Sequence, residues 1–271
     1  MRSFNHTDFG DLDLSAVSVV LPARECADTI GPIVEVLRDA GQVVVVDAAS
    51  ADGTAAVAKL AGAEVHQEAE LLTDFGPVLG KGDAMWRALS VVRHDVVVYV
   101  DADTKGFDSH FVTGLAGPLL TDPDIQFVKG AYSRPFVQGD LVVEHGGGRV
   151  TELMARPLLR AFYPELSALS QPLAGEFAGR RDLLERIPWS TGYAAEIAMD
   201  IDIWKEVGIE GIAQVDIGER RQPHQPLKSL SAMASTILTA VSERLVAEGR
   251  MAADAAPEAD FVVRPPLVQC R

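Results

Sequence analysis

The chain has 271 residues, 48% hydrophobic and 23% charged, a balance that supports one or two folded domains and excludes a disordered, collagenous or disulfide-scaffold protein. Twenty-four basic against 39 acidic residues leave a net charge of −15 and a pI of about 4.8, so the overall field repels nucleic acid and anionic lipid, and neither is expected as a partner. A small anionic ligand would need that field reversed locally, by a metal ion, a few basic side chains or a helix N-terminus. Two distant cysteines, Cys26 and Cys270, fit a reducing cytoplasm. An acidic, non-apolar start (Asp8, Asp11, Asp13) does not read as a signal peptide, and no apolar run approaches the roughly 18 to 20 residues that span a bilayer.

In chain order, residues 1–15 read as an N-terminal extension. Residues 16–105 alternate β-branched runs with helical segments, the pattern of a mostly parallel, Rossmann-like α/β sheet flanked by helices. Runs at 17–21, 43–47 and 96–100 predict strands buried on both faces. Asp28 is the expected cap of a helix closed by Gly41, and Ser50 or Asp52 that of a helix over 53–60. A third helix is expected over 81–92. Residues 106–248 read as an extension of the same sheet, with a helix over 150–159, another beginning near Glu196, and a long amphipathic helix over 227–245. Its apolar stripe (Leu230, Met233, Ile237, Leu238, Val241, Leu245) is assigned to the core rather than to an interface. From residue 249 the chain turns Ala-, Asp-, Glu- and Pro-rich, and a loosely draped tail is expected.

Open α/β sheets bind ligands at the carboxyl edge of their strands, which points to 22–25, 47–52 and 101–103. Asp101-Ala102-Asp103 leaves the 96–100 strand there, and its hard oxygens suit Mg²⁺ or Mn²⁺ on a diphosphate. Spacing alone is a weak signal, because Asp11/Asp13, Asp122/Asp124 and Asp200/Asp202 share it; the buried strand singles out this copy. Lys81, between Gly80 and Gly82, is either a phosphate-facing point charge or a surface lysine in a turn. Gly146-Gly147-Gly148-Arg149 before a helix outlines an anion site, or else a hinge. Glu196 either caps its helix or faces a ligand, and His224, between Pro223 and Pro226, is either structural or a metal ligand. Neither the dinucleotide fingerprint nor the P-loop spacing is present.

Together, Val19-Val20-Leu21-Pro22-Ala23, Val46-Asp47 with Ser50 and Asp52, Gly80-Lys81-Gly82 with Trp86-Arg87, Asp101-Ala102-Asp103, GGGRVTEL from Gly146, Gln171-Pro172-Leu173-Ala174-Gly175-Glu176, Gly192-Tyr193 with Glu196, and Ile212–Val215 resemble the glucosyl-3-phosphoglycerate synthases. These are retaining glycosyltransferases of GT-A fold, a family that includes mannosyl-3-phosphoglycerate synthases. The resemblance implies a divalent-metal-dependent transfer of glucose from UDP- or GDP-glucose to the 2-hydroxyl of D-3-phosphoglycerate. It places Pro22, Ala23, Glu25, Ser50, Lys81, Asp101 and Ala102 on the nucleotide sugar, Asp103 and His224 on Mg²⁺ or Mn²⁺, and Gly148, Arg149 and Thr151 on the acceptor's phosphate and carboxylate. Tyr193 and Glu196 would lie near the reacting sugar, with Glu196, Lys81 and Asp103 forming the catalytic set. A homodimer is also implied.

Two departures stand out. The family's Pro-Ala-Leu-Asn-Glu-type loop reads Pro22-Ala23-Arg24-Glu25-Cys26, and its metal histidine aligns with Gln222, two residues before His224. Other readings are a related transferase using another donor or acceptor in a secondary-metabolite pathway, a sugar-phosphate nucleotidyltransferase, and a non-catalytic nucleotide-sugar binder.

Overall fold

The computed structural model describes all residues except 11, 139–140, 144–146, 221–225 and 271. The strands are β1 (Arg2–Asn5), β2 (Val17–Ala23), β3 (Gln42–Asp47), β4 (Glu64–Gln67), β5 (Val96–Tyr99), β6 (Phe127–Ser133), β7 (Phe136–Gln138), β8 (Leu141–Val143), β9 (Phe177–Arg180), β10 (Trp189–Ser190), β11 (Ile212–Glu219) and β12 (Val263–Arg264). The helices are α1 (Ala27–Val36), α2 (Thr54–Leu60), α3 (Lys81–Ala88), α4 (His110–Thr121), α5 (Arg156–Phe162), α6 (Arg181–Arg186), α7 (Ala195–Val207) and α8 (Leu227–Ala247). One eight-stranded sheet runs β1-β11-β6-β9-β5-β2-β3-β4, and β7-β8 and β10-β12 are small hairpin-like pairs.

The strands of the large sheet pair in parallel except β9, which runs antiparallel to both neighbours, with Tyr99 opposite Phe177. The residues preceding β9 therefore arrive at the same edge as the carboxyl ends of the parallel strands. Continuous valine-rich runs suit this sheet because it is covered on both faces. On one face Val19, Leu21, Val45 and Val98 pack with Ile30, Ile33 and Phe111 of α1 and α4. On the other, Tyr99, Phe127 and Phe177 pack with Trp86 of α3, Trp189, and Ile197 and Ile201 of α7. The expected GT-A-like α/β architecture is therefore present.

Several details differ from the sequence expectation. α1 begins one residue before Asp28, with Cys26 in the cap position. Its first amides are satisfied from a neighbouring loop: Ala27 N donates to Asp52 Oδ2 (2.9 Å) and Cys26 N to Thr54 Oγ1 (2.8 Å). Residues 151–155 form a π-helical turn before α5, because Arg156-Pro157 removes one helical amide donor. β1 places the N-terminal residues in the sheet as its edge strand, paired with β11. The C-terminal segment is docked rather than draped, with Leu267 1% exposed and β12 paired to β10. On α8, Ile237, Val241 and Leu245 are buried as predicted, whereas Leu238 is exposed. α8 is also long and apolar enough, by length and composition, to cross a bilayer, because its small Ala, Ser and Thr residues escape a search for apolar runs; 44% of that window is buried in the chain.

Candidate active site

Elements from across the sheet deliver charged side chains to the carboxyl edge. Asp101 leaves β5, Lys81 opens α3 after Gly80, Glu176 precedes β9, and Arg220 follows β11. Lys81 Nζ and Arg220 both grip Asp101, Arg220 Nη2 at 2.6 Å from Oδ2. The same guanidinium donates to Glu176, reaches Thr104 Oγ1 at 3.3 Å and stands 3.5 Å from Asp103. Burial opposes charge on Asp101, but Lys81 and Arg220 overcome it and hold the carboxyl well below the ordinary range. Asp101 and Glu196 in turn raise Lys81 against the effect of burial. The result is two fixed cations, Lys81 and Arg220, held at the sheet edge among the carboxylates Asp101, Asp103, Glu176 and Glu196.

Backbone geometry makes room for this cluster. A Cβ on Gly175 would lie 2.5 Å from Lys81 Nζ and 2.9 Å from Asp101 Oδ1, so the absence of a side chain there lets the ion pair form. A Cβ on Gly82 would lie 2.5 Å from Ser190 O and 2.8 Å from Ala195 Cβ, so α3 starts in direct contact with the segment leading to Glu196. Glu196, half-buried on the first turn of α7, is raised by burial, with Lys81 and Lys129 pulling the other way. Behind it, Lys129 Nζ pairs with Asp200 Oδ1 at 3.0 Å inside the protein.

Pro22, Ala23, Glu25 and Ser50 lie at the end of β2 and on two adjacent loops at the same sheet edge. Pro22 and Ala23 end β2, and the next loop is latched to the one after β3. Glu25 N donates to Ser50 Oγ (2.9 Å), and Ala51 N donates to Glu25 Oε1 (2.8 Å). Glu25 and Ala49 both adopt positive φ, 52° and 54°, costs of order 1 kcal/mol each that persist where surrounding structure imposes the loop shape.

Among the described residues, no backbone hydrogen bond joins Gly148 or Thr151 to the Lys81–Asp101 group. Gly147 N instead donates to Arg134 O (2.9 Å), and Gly148 adopts φ +67° just before the π-helical turn. An open cleft of about 1060 Å³ has walls that include Tyr132, Arg134, Gly147, Arg156 and Gln171, while Arg149 lines a separate groove with Leu153 and Leu227. The Arg220 guanidinium lies 5.8 Å from the Tyr132 ring, so the cleft opens beside the charged cluster. Tyr193 is 52% exposed, three residues before Glu196. His224 and Gln222 lie outside the described residues, as does Gly146.

Other Asp-x-Asp copies have structural partners: Asp122 pairs with Arg2, Asp200 with Lys129 and Asp202 with Arg244. The residues that sequence reasoning left without a role are Arg220, Glu176 and Gly175. Arg220 directly follows an apolar alternation over 212–217, so the strand-end argument that found Asp101 would also have found it.

Among the described residues of this cluster, Asp103 is the most exposed carboxylate, 64% exposed and 3.5 Å from Arg220, while Asp101 is held by Lys81 and Arg220. This donor fits Mg²⁺ or Mn²⁺, which keep several ligands from substrate phosphate and water.

Comparison with known proteins decides the family. Residues 18–141 match glycosyl transferase family 2. The glucosyl-3-phosphoglycerate synthase of Petrotoga mobilis is 40% identical over 92% of this chain and 82% of its own, and that of Mycolicibacterium smegmatis is 39% identical over 90% and 84%. The chain belongs to the glucosyl-3-phosphoglycerate synthase family. It is accordingly a glycosyltransferase. Among solved structures, the mannosyl-3-phosphoglycerate synthase of Rubrobacter xylanophilus superposes with a TM-score of 0.89 at 42% identity, covering 99% of this chain and 97% of that one. The Mycobacterium tuberculosis glucosyl-3-phosphoglycerate synthase, in complex with Mn²⁺, UDP-glucose and phosphoglyceric acid, gives 0.82 at 35% identity, covering 97% and 95%.

Proposed function

We propose that this glycosyltransferase moves glucose from a nucleoside-diphosphate glucose to the 2-hydroxyl of D-3-phosphoglycerate, with retention at the anomeric carbon and with Mg²⁺ or Mn²⁺. The observation that carries the reading is the Lys81–Asp101–Arg220 cluster at the sheet edge, set in a chain that shares the fold and about 40% of its sequence with enzymes named for this reaction. Pro22, Ala23, Glu25 and Ser50 hold the nucleoside in the latched loops, and Asp101 with Ala102 fixes the floor beneath its diphosphate. Lys81 and Arg220 face the diphosphate oxygens, preorganised where negative charge grows as the glycosidic bond breaks. A divalent cation, when bound to Asp103 and His224, supplies Lewis-acid stabilisation of the leaving diphosphate.

Gly148, Arg149 and Thr151 hold the acceptor's phosphate and carboxylate, the start of the helical turn supplying amides and Arg149 a guanidinium. Acceptor and donor sites thus come from different halves of the chain, 106–248 and 16–105. The acceptor hydroxyl attacks from the face that the diphosphate leaves, and its proton passes to the departing oxygen. Glu196, poised beside Lys81, and Tyr193, three residues before it, bear on the sugar ring. The protein acts as a cytoplasmic homodimer in this reading. Two free cysteines support the compartment, and an apolar groove bearing exposed Leu153 and Leu227 supports the second copy.

The TM-score of 0.89 to a mannosyl-3-phosphoglycerate synthase favours one second reading, transfer of mannose to the same acceptor. Initial rates with UDP-glucose, GDP-glucose and GDP-mannose, each with D-3-phosphoglycerate, separate the two. Glucose transfer at a kcat/KM at least tenfold above mannose transfer is expected, and the reverse order would install the second reading.

A further inference from the structure

The C-terminal segment touches α3, which carries Lys81, and the strand β10 with Thr191, which lead to Glu196. The Arg264 backbone lies opposite Trp189 in the β10-β12 pair, and the same strand continues into two bonds with Thr191: Thr191 N to Val262 O (2.9 Å) and Val262 N to Thr191 Oγ1 (3.0 Å). One residue later the chain reaches Gly192 and then Tyr193 and Glu196. The Arg264 side chain turns the other way, into the first turn of α3. Its Nε donates to Asp83 Oδ1 (3.0 Å) and its Nη2 to Asp83 Oδ2 (2.7 Å), a bidentate pair on a fully buried carboxylate two residues beyond Lys81. Nη1 donates to Phe75 O (2.8 Å), and Trp86 Nε1, one turn along α3, donates to Pro265 O (3.0 Å).

Asp83 is further fixed by Leu79 N (2.8 Å), which holds the loop entering α3. Bidentate arginine–carboxylate pairs set orientation as well as distance. One residue thus clamps the start of α3 to the strand that leads into the Glu196 loop, across the contact at which Gly82 meets Ser190 and Ala195.

We propose that Arg264 is a positioning residue for glycosyl transfer: through Asp83 and the β10-β12 pair it fixes the spacing of Lys81 and Glu196 across the donor site. This rests on the function proposed above, but the clamp is testable without turnover. The full chain is compared with Arg264→Met and with Leu267→Ala, which loosens the same tail through its buried leucine while leaving the Arg264–Asp83 pair in place. Hydrogen exchange of amides 81–85 and 191–196, donor kcat/KM, acceptor KM and Tm are read on each.

In Arg264→Met, exchange in both segments rises at least tenfold and donor kcat/KM falls at least tenfold, with acceptor KM within twofold. Leu267→Ala lowers Tm with less than a threefold change in those amides and in donor kcat/KM. Equal exchange in the two variants, or a loss of kcat/KM that tracks Tm in both, overturns the proposal. If Arg264→Met does not fold, Arg264→Gln, which leaves the buried Asp83–Arg87 pair in place, stands in for it under the same criteria. A wild-type chain that turns over none of the donors would refute the functional reading, and the exchange comparison alone would then decide the clamp.

Discussion

Gly175→Ala adds one methyl group and removes no chemical function, yet it should cost this enzyme most of its activity. The new Cβ would sit 2.5 Å from Lys81 Nζ and 2.9 Å from Asp101 Oδ1, against an ordinary contact distance that begins at 3.4 Å. Asp101 is held from its other oxygen by Arg220, so the lysine amine is the group that yields, by about 0.9 Å. Gly175 lies outside the left-handed backbone region, so alanine brings no backbone strain. A displacement near 1 Å of a group aimed at developing charge costs up to about 100-fold, and a fall in kcat/KM of about 30- to 100-fold is expected. Stability should change by no more than about 1 kcal/mol, roughly 2–4 °C in Tm for a chain of this size, because the amine retreats toward solvent. The assay is nucleoside-diphosphate release at varied donor, with thermal melting alongside and Gly10→Ala, whose Cβ meets nothing within 4 Å, as control. A kcat/KM within twofold of wild type would refute the reasoning.

Asp103→Ala should lower turnover by about 100-fold or more while leaving Tm within about 2 °C, since the carboxylate is exposed; nucleoside-diphosphate release with Mn²⁺ checks it. Arg220→Ala strands the buried Glu176 carboxylate and leaves Asp101 to Lys81 alone, and should destabilise by about 3–5 kcal/mol, with Glu176→Gln recovering part of that loss in the double variant; urea denaturation that found the two substitutions additive would contradict the coupling. Asp200 is pushed up to about 7 by burial, only partly offset by Lys129. The folded state therefore binds its proton more tightly than the unfolded state, so the stability from this group is full below about pH 4 and falls as pH rises through about 7, by roughly a few kcal/mol. Asp200→Asn should accordingly gain on wild type between pH 4.5 and 7.5 in urea melts, and parallel curves would count against that sign.

The sheet was legible because valine-rich runs at 17–21, 43–47 and 96–100 have no other stable use than buried strands, and the site because ligands gather at the carboxyl ends of such strands. That logic singled out Asp101 and Asp103, the glycine-flanked turn singled out Lys81, and the contact between Lys81 and Asp101 came only from the structure. Strand-end logic stopped short of Glu176 and Gly175, because β9 runs antiparallel and its amino end, not its carboxyl end, faces the site. Local pattern does not encode strand order, so nothing near residue 176 announced the inversion. The cap of α1 was missed for a similar reason: Asp52, which accepts from Thr54 N at the start of its own helix, also serves Ala27 N of α1 from another loop, whereas a sequence reading looks for the cap within the helix's own segment. The tail misled because its Ala- and Pro-rich composition hides two anchors, Arg264 and Leu267, whose partners lie far away in the chain.

The most direct test of the account follows the product itself. Protein, Mn²⁺, UDP-glucose and D-3-phosphoglycerate are mixed, and proton NMR reads the new anomeric signal alongside UDP release. The account predicts one α-linked glucosyl product, formed in step with UDP and only when the acceptor is present. A β-linked product, or UDP release that proceeds equally without acceptor, would contradict it.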